Sequence, residues 1–132
     1  MRFLAKILIV EDNALNIKLF CDLLAAHGHE PQAVTDSRQA LEAARDFSPD
    51  LVITDIQLPH VSGLDLIRMV RDDETLREVP IMAVTAYASA GDEERIRGAG
   101  AESYVTKPIS VARFVAEVDA LLAPKKAPAE AH

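Results

Sequence analysis

The chain has 132 residues, enough for one ordinary domain that buries roughly two-thirds of the surface exposed when unfolded, so no disulfide or metal staple is required. With 49% hydrophobic and 27% charged residues, the balance is that of a folded globular domain, neither disordered nor membrane-embedded. A net charge of -7 without a Lys/Arg cluster argues against nucleic-acid partners, because phosphate neutralisation supplies much of that affinity. Cys21 alone gives neither a disulfide framework nor a thiolate cluster. No charged-then-apolar leader occurs, and no apolar stretch approaches the roughly 20 residues that span a bilayer. The expectation is a cytoplasmic protein without membrane insertion.

The first apolar run, Lys6-Ile7-Leu8-Ile9-Val10, reads as a strand and ends at Glu11-Asp12. Asn13 can cap the helix that follows, which carries Leu19, Phe20, Leu23 and Leu24 on one arc with Leu15 and Ile17 at its edges. Either all of these residues pack inside, or Leu15 or Ile17 stays exposed near the acids to meet a partner helix. Gly28 marks the helix exit. A second strand is expected near Glu30 to Val34, with Asp36 or Ser37 capping the next helix.

The third strand, near Asp50 to Thr54, leads into Asp55, and Ser62 can cap the third helix. The fourth, near Pro80 to Val84, is followed by Thr85-Ala86. Residues 90–98 form a helical stretch with Ile96 as its only large apolar side chain. This is either a solvated surface helix or a weakly anchored switch element. Gly98 and Gly100 read as exits or turns. The fifth strand, near Glu102 to Val105, precedes Thr106-Lys107-Pro108, and Ser110 can cap a last helix striped with Val111, Phe114, Val115, Val118, Leu121 and Leu122. Residues 123–132 lack periodicity and hold two prolines, so a domain over 1–122 and a flexible tail are expected. Short continuous apolar runs alternating with helical stretches point to an α/β fold with a doubly wound five-stranded parallel sheet.

In such a sheet the carboxyl ends of the strands border the ligand crevice. Glu11-Asp12, Asp55, Thr85 and Lys107 all fall at strand ends, so acids, a hydroxyl and a cation converge there. Two carboxylates about 4 Å apart repel by about 4 kcal/mol at an effective dielectric near 20, which calls for a positive partner. Oxygen-only ligation suits Mg²⁺. His27, His29, His60 and His132 lack ligand spacing and are expected at the surface or in loops. A carboxylate beside a divalent ion, a lysine and a hydroxyl can attack phosphorus and form an acyl phosphate. Asp55 is the candidate nucleophile.

Glu11-Asp12, Asp55 followed by Ile56-Gln57-Leu58-Pro59 and Ser62-Gly63, Thr85-Ala86, and Tyr104 before Lys107-Pro108 together resemble a response-regulator receiver domain of two-component signalling. The likeness runs from about Lys6 to Leu122. More narrowly, Val10-Glu11-Asp12-Asn13, Asp55-Ile56-Gln57-Leu58-Pro59, the stretch 91–97 and Lys107-Pro108-Ile109-Ser110-Val111 resemble stand-alone receivers of cell-cycle control. The resemblance implies a flavodoxin-like (βα)5 fold with strand order 2-1-3-4-5. It implies that Asp55 accepts a phosphoryl group from a histidine kinase or histidine phosphotransfer protein. Asp12, Asp55 and the Gln57 main-chain carbonyl would hold Mg²⁺, with Glu11 acting partly through water. Lys107 would pair with the phosphoryl group and precede a cis peptide to Pro108. Thr85 and Tyr104 would be the switch, read by a downstream protein effector. Gln57 and Tyr87 occupy positions that shape water access, and a bulky Tyr87 implies slow loss of the phosphoryl group.

Other functions compete with this one. A phosphatase using Asp55 as a transient nucleophile needs a second acid/base two residues later, where Gln57 stands. The chain is therefore expected to be a phosphoacceptor signalling module and not a turnover enzyme. An interaction or adaptor domain that ignores phosphorylation is the alternative on the same fold. A flavin domain fails because acids stand where a phosphate loop should follow the first strand.

Overall fold

The computed structural model describes residues 4–86 and 89–126. Five strands, β1 (Lys6–Val10), β2 (Glu30–Val34), β3 (Leu51–Asp55), β4 (Ile81–Thr85) and β5 (Ser103–Thr106), form one parallel sheet in the order β2-β1-β3-β4-β5. Helices α1 (Ala14–Ala26), α2 (Ala40–Phe47), α3 (Gly63–Asp72), α4 (Ala90–Ala99) and α5 (Val111–Lys126) connect and flank them, with a 3-10 turn at Ser37–Gln39 before α2. This is the doubly wound order implied by the resemblance. β3, β4 and β5 each run one residue later than the sequence suggests, which makes Asp55 and Thr85 the last residues of their strands.

The continuous apolar runs follow from burial on both faces. Within β1, Leu8 and Val10 face a core shared with α2, α3 and α4, including Phe47, Leu66, Ile67, Val70 and Ile96. Ile7 and Ile9 face the opposite core, with Phe20 and Leu24 of α1 and Phe114, Val118 and Leu122 of α5. Phe20 and Phe114 stack at 5.1 Å between centroids, tying α1 to α5. β2 is the exposed edge, and Pro31 is tolerated there because an edge strand has N–H groups without ladder partners.

Asn13 caps α1 and Ser62 caps α3, as their positions suggest. Asp36 caps the 3-10 turn, whereas α2 itself starts without a side-chain cap. α4 has a capping box between Ser89 and Asp92, a Ser-x-x-acid pattern readable in the sequence. Gly98 lies inside α4, so the helix exit belongs to Gly100, whose φ of 126° favours glycine. α5 continues through Lys126, four residues beyond Leu122. Residues 127–132 lie outside the described residues.

Candidate functional site

The strand order places the crevice between the carboxyl ends of β1 and β3, where the connections leave in opposite directions. Glu11 and Asp12 follow β1, and Asp55 ends β3. Glu11 and Asp55 are buried, Asp12 is exposed, and one oxygen of each lies within 4.8 Å of the others. Lys107, just after β5, donates from Nζ to Asp55 Oδ2 at 2.6 Å and lies 3.7 Å from Glu11 Oε1. The other Asp55 oxygen accepts the Gln57 main-chain N–H at 3.0 Å. The Lys107-Pro108 peptide is cis, and the Lys107 N–H donates to the Thr85 carbonyl at 2.8 Å. That bond and the pairing of Thr85 with Thr106 bring Thr85 to the same rim.

Electrostatics follow from this crowding. Burial pushes the Glu11 carboxyl up to about 7, with the Asn13 N–H and Lys107 pulling it down and the Asp55 charge raising it further. Burial works against the Lys107 ammonium, yet its hydrogen bond to Asp55 and the charges of Asp55, Glu11 and Asp12 outweigh this and raise its pKa. Glu11 Oε1 is buried with no hydrogen-bond partner among the described residues, a costly condition for a carboxyl group. One lysine among three carboxyl groups leaves the cluster short of positive charge. A hard cation fits both the orphaned oxygen and the all-oxygen donor set.

Gly63, the first residue of α3, has a role that the sequence pattern alone does not expose. A Cβ there would overlap the Asp55 carbonyl oxygen and lie 2.6 Å from Ile56 Cα. Only glycine lets α3 start against the backbone of Asp55. The Gly63 N–H closes the loop by donating to the Ile56 carbonyl at 2.9 Å.

Tyr104 is half-buried on the face opposite Ser103 and Val105, packed against the α2–α4 core. Its hydroxyl donates to Glu93 Oε1 at 3.2 Å, and the Arg97 guanidinium lies 5.6 Å from its ring centroid while bonding Glu93 Oε2. Ile96 and Ala99 are the buried residues of α4, so the helix is thinly anchored. Leu15 is 79% exposed and Ile17 is half-buried, so of the two only Leu15 stays outside the core. Tyr87 lies outside the described residues. His29, expected at the surface, is buried beneath α1 and α5, close to Leu24 and Val118.

A doubly wound parallel sheet with acids at the β1 and β3 ends and a lysine after β5 is the arrangement expected of a receiver domain. Residues 7–119 match the response regulator receiver domain family, and the chain belongs to it. Among curated relatives, the polar-differentiation response regulator DivK of Brucella ovis is 52% identical over 116 residues, covering 88% of this chain and 94% of the relative. DivK of Brucella anthropi is 51% identical over the same shares. The receiver domain of sensor histidine kinase PA1611 from Pseudomonas aeruginosa PAO1, solved with a magnesium ion coordinated in its active site cleft, is 33% identical with a TM-score of 0.83 over 90% of this chain and 98% of that one. Chemotaxis protein CheY4 of Vibrio cholerae shares the fold, with a TM-score of 0.85 at 24% identity over 89% of this chain and 98% of that one.

Among the described residues, no helix is long and apolar enough to cross a membrane.

Proposed function

We propose that Asp55 is the phosphoacceptor, charged by the phosphohistidine of a histidine kinase or phosphotransfer protein, and that the acidic crevice works with Mg²⁺. The observation that carries this reading is the Asp55 carboxyl group held between Lys107 and the Gln57 N–H, beside two further acids. Asp12, Asp55 and the Gln57 carbonyl are the metal ligands in this reading, with Glu11 behind them. The magnesium described for PA1611 supports the choice of ion. When bound, Mg²⁺ would draw charge from the phosphoryl oxygens.

An Asp55 oxygen forms the new O–P bond as the P–N bond to the donor imidazole breaks, and the freed imidazole takes up a proton from water. Lys107 turns from Asp55 toward a phosphoryl oxygen, where its charge offsets the negative charge that develops. The Thr85 hydroxyl then gains a phosphoryl oxygen as a charge-assisted acceptor. Tyr104 follows Thr85 inward and exchanges its hydrogen bond to Glu93 for the space vacated. The α4–β5 surface that results is read by a downstream protein, in cell-cycle or cell-fate control by analogy with DivK. The chain is a signalling module without turnover of an external substrate, and it acts in the cytoplasm.

The test is transfer from a radiolabelled phosphohistidine donor in Mg²⁺. Label should move to the wild-type chain and neither to Asp55→Asn protein nor to wild type in chelator. Partner affinity should differ between the phosphorylated form and Asp55→Asn. Equal affinities would instead support an adaptor that ignores phosphorylation.

A further inference from the structure

The loop from Ile56 to Ser62 is held from a different part of the chain. Ser37, first residue of the 3-10 turn after β2, is only 3% exposed. Its hydroxyl donates to the Pro59 carbonyl at 2.7 Å and accepts the Val61 N–H at 3.0 Å. Between those two bonds lies His60, with φ of 72°, a left-handed conformation that non-glycine residues seldom adopt. One buried hydroxyl thus braces both sides of a strained residue. The turn that presents Ser37 is itself fixed, since Asp36 accepts from the Arg38 main chain at 2.9 Å and pairs with its guanidinium.

The brace bears on Gln57. Its N–H is fixed to Asp55 Oδ1, and the Pro59 carbonyl is fixed to Ser37. Few soft dihedrals separate those anchors. Pro59 locks its own φ and confines Leu58 to extended conformations. With both ends pinned, the peptide plane that carries the Gln57 carbonyl has little freedom left.

We propose that Ser37 is a positioning residue for the metal site, aiming the Gln57 carbonyl by clamping the loop across His60. The inference rests on the reading of the crevice as a Mg²⁺ site, and it adds a residue from the β2–α2 connection to that site. Groups behind metal ligands commonly change affinity by 10- to 100-fold when removed. The clamp touches no ligand directly, so the lower end applies.

The experiment is a Mg²⁺ titration of the full chain, followed by the amide resonances of Gln57 and Leu58, for wild type and Ser37→Ala. The dissociation constant should rise about tenfold in the variant, and acyl phosphate formation at a fixed, subsaturating Mg²⁺ concentration should fall in step with it. Coupling between sites is reciprocal. Saturating Mg²⁺ should therefore slow hydrogen exchange of the Val61 amide in the wild-type chain by about the same factor. That measurement needs no substitution, so it decides the matter if Ser37→Ala fails to fold. An unchanged Mg²⁺ affinity in Ser37→Ala, or Val61 exchange indifferent to Mg²⁺, overturns the clamp while leaving the crevice intact. Failure of wild type to bind Mg²⁺ at all would instead remove the reading beneath it.

Discussion

At the amino ends of β4 and β5, Arg71 donates to the carbonyls of Gly100, Arg77 and Val79 and to Glu102 Oε1, all between 2.6 and 2.9 Å. Glu102 in turn accepts the Ile81 N–H at 2.8 Å. At the carboxyl ends of β1 and β3, a buried Glu11 oxygen has no hydrogen-bond partner among the described residues, and three acids share one lysine. Carboxyl groups record the contrast. Near the first region, the Thr75 hydroxyl, with Arg45 adding, holds Asp73 down to about 2, whereas burial pushes Glu11 up to about 7. One end of the sheet is polar and satisfied, which is what stability selects; the other is left short of positive charge, which is what a cation and a phosphoryl group can supply.

Substitutions at the two ends should separate these roles. Asp55→Asn should abolish acyl phosphate formation while leaving the fold in place. Arg71→Ala should do the reverse, lowering unfolding free energy by about 1–3 kcal/mol because it leaves partly buried carbonyls and the Glu102 carboxylate without their donor, with phosphorylation retained well below the unfolding midpoint. Denaturant unfolding and mass spectrometry on the same samples would show this crossed pattern. Loss of both properties in both variants would erase the distinction.

The next effect is metal removal. Mg²⁺ at 100 times its dissociation constant should stabilise the wild-type chain by about 2.7 kcal/mol, and Asp12→Asn should lose most of that gain. In chelator, the two ends should respond to pH with opposite signs. Glu11, raised from 4.5 to about 7, favours folding fully below pH 4.5, and that contribution disappears as pH rises through about 7. Asp73, lowered from 3.8 to about 2, favours folding above pH 3.8, and its contribution disappears as pH falls through about 2. Glu11→Gln should flatten the first slope only and Asp73→Asn the second only, in thermal unfolding across pH.

The smallest effect concerns the switch. Glu93→Gln weakens the acceptor that holds the Tyr104 hydroxyl, at a cost of about 0.5–1.5 kcal/mol to the outward position. The balance of conformations should shift inward by roughly two- to tenfold, visible in Tyr104 ring resonances of the unphosphorylated chain. Unchanged resonances would mean that Glu93 does not restrain the ring.

Much of this was legible in the residues. Runs such as Ile7-Leu8-Ile9-Val10 declare strands buried on both faces, and acids at their ends declare the crevice, because strand direction alone brings them together. Lys107-Pro108 announced its rim position in the same way. The Arg71 network was not legible, since three of its partners are main-chain carbonyls, from two segments, and carry no side-chain signature. The Ser37 brace was hidden for the same reason, and the serine read only as a helix cap. Gly63 was visible as part of a motif, but its near-contact with the Asp55 carbonyl needs coordinates. The burial of His29 depends on how α1 and α5 close over it, which local pattern does not encode.

The most direct test is to expose the chain to Mg²⁺ and a small acyl phosphate donor and to map any added mass by peptide. A single phosphoryl group on the peptide containing Asp55, absent in chelator and in Asp55→Asn, is the predicted result. An unmodified wild-type chain under those conditions, or a phosphoryl group on another residue, would contradict the assignment of the crevice.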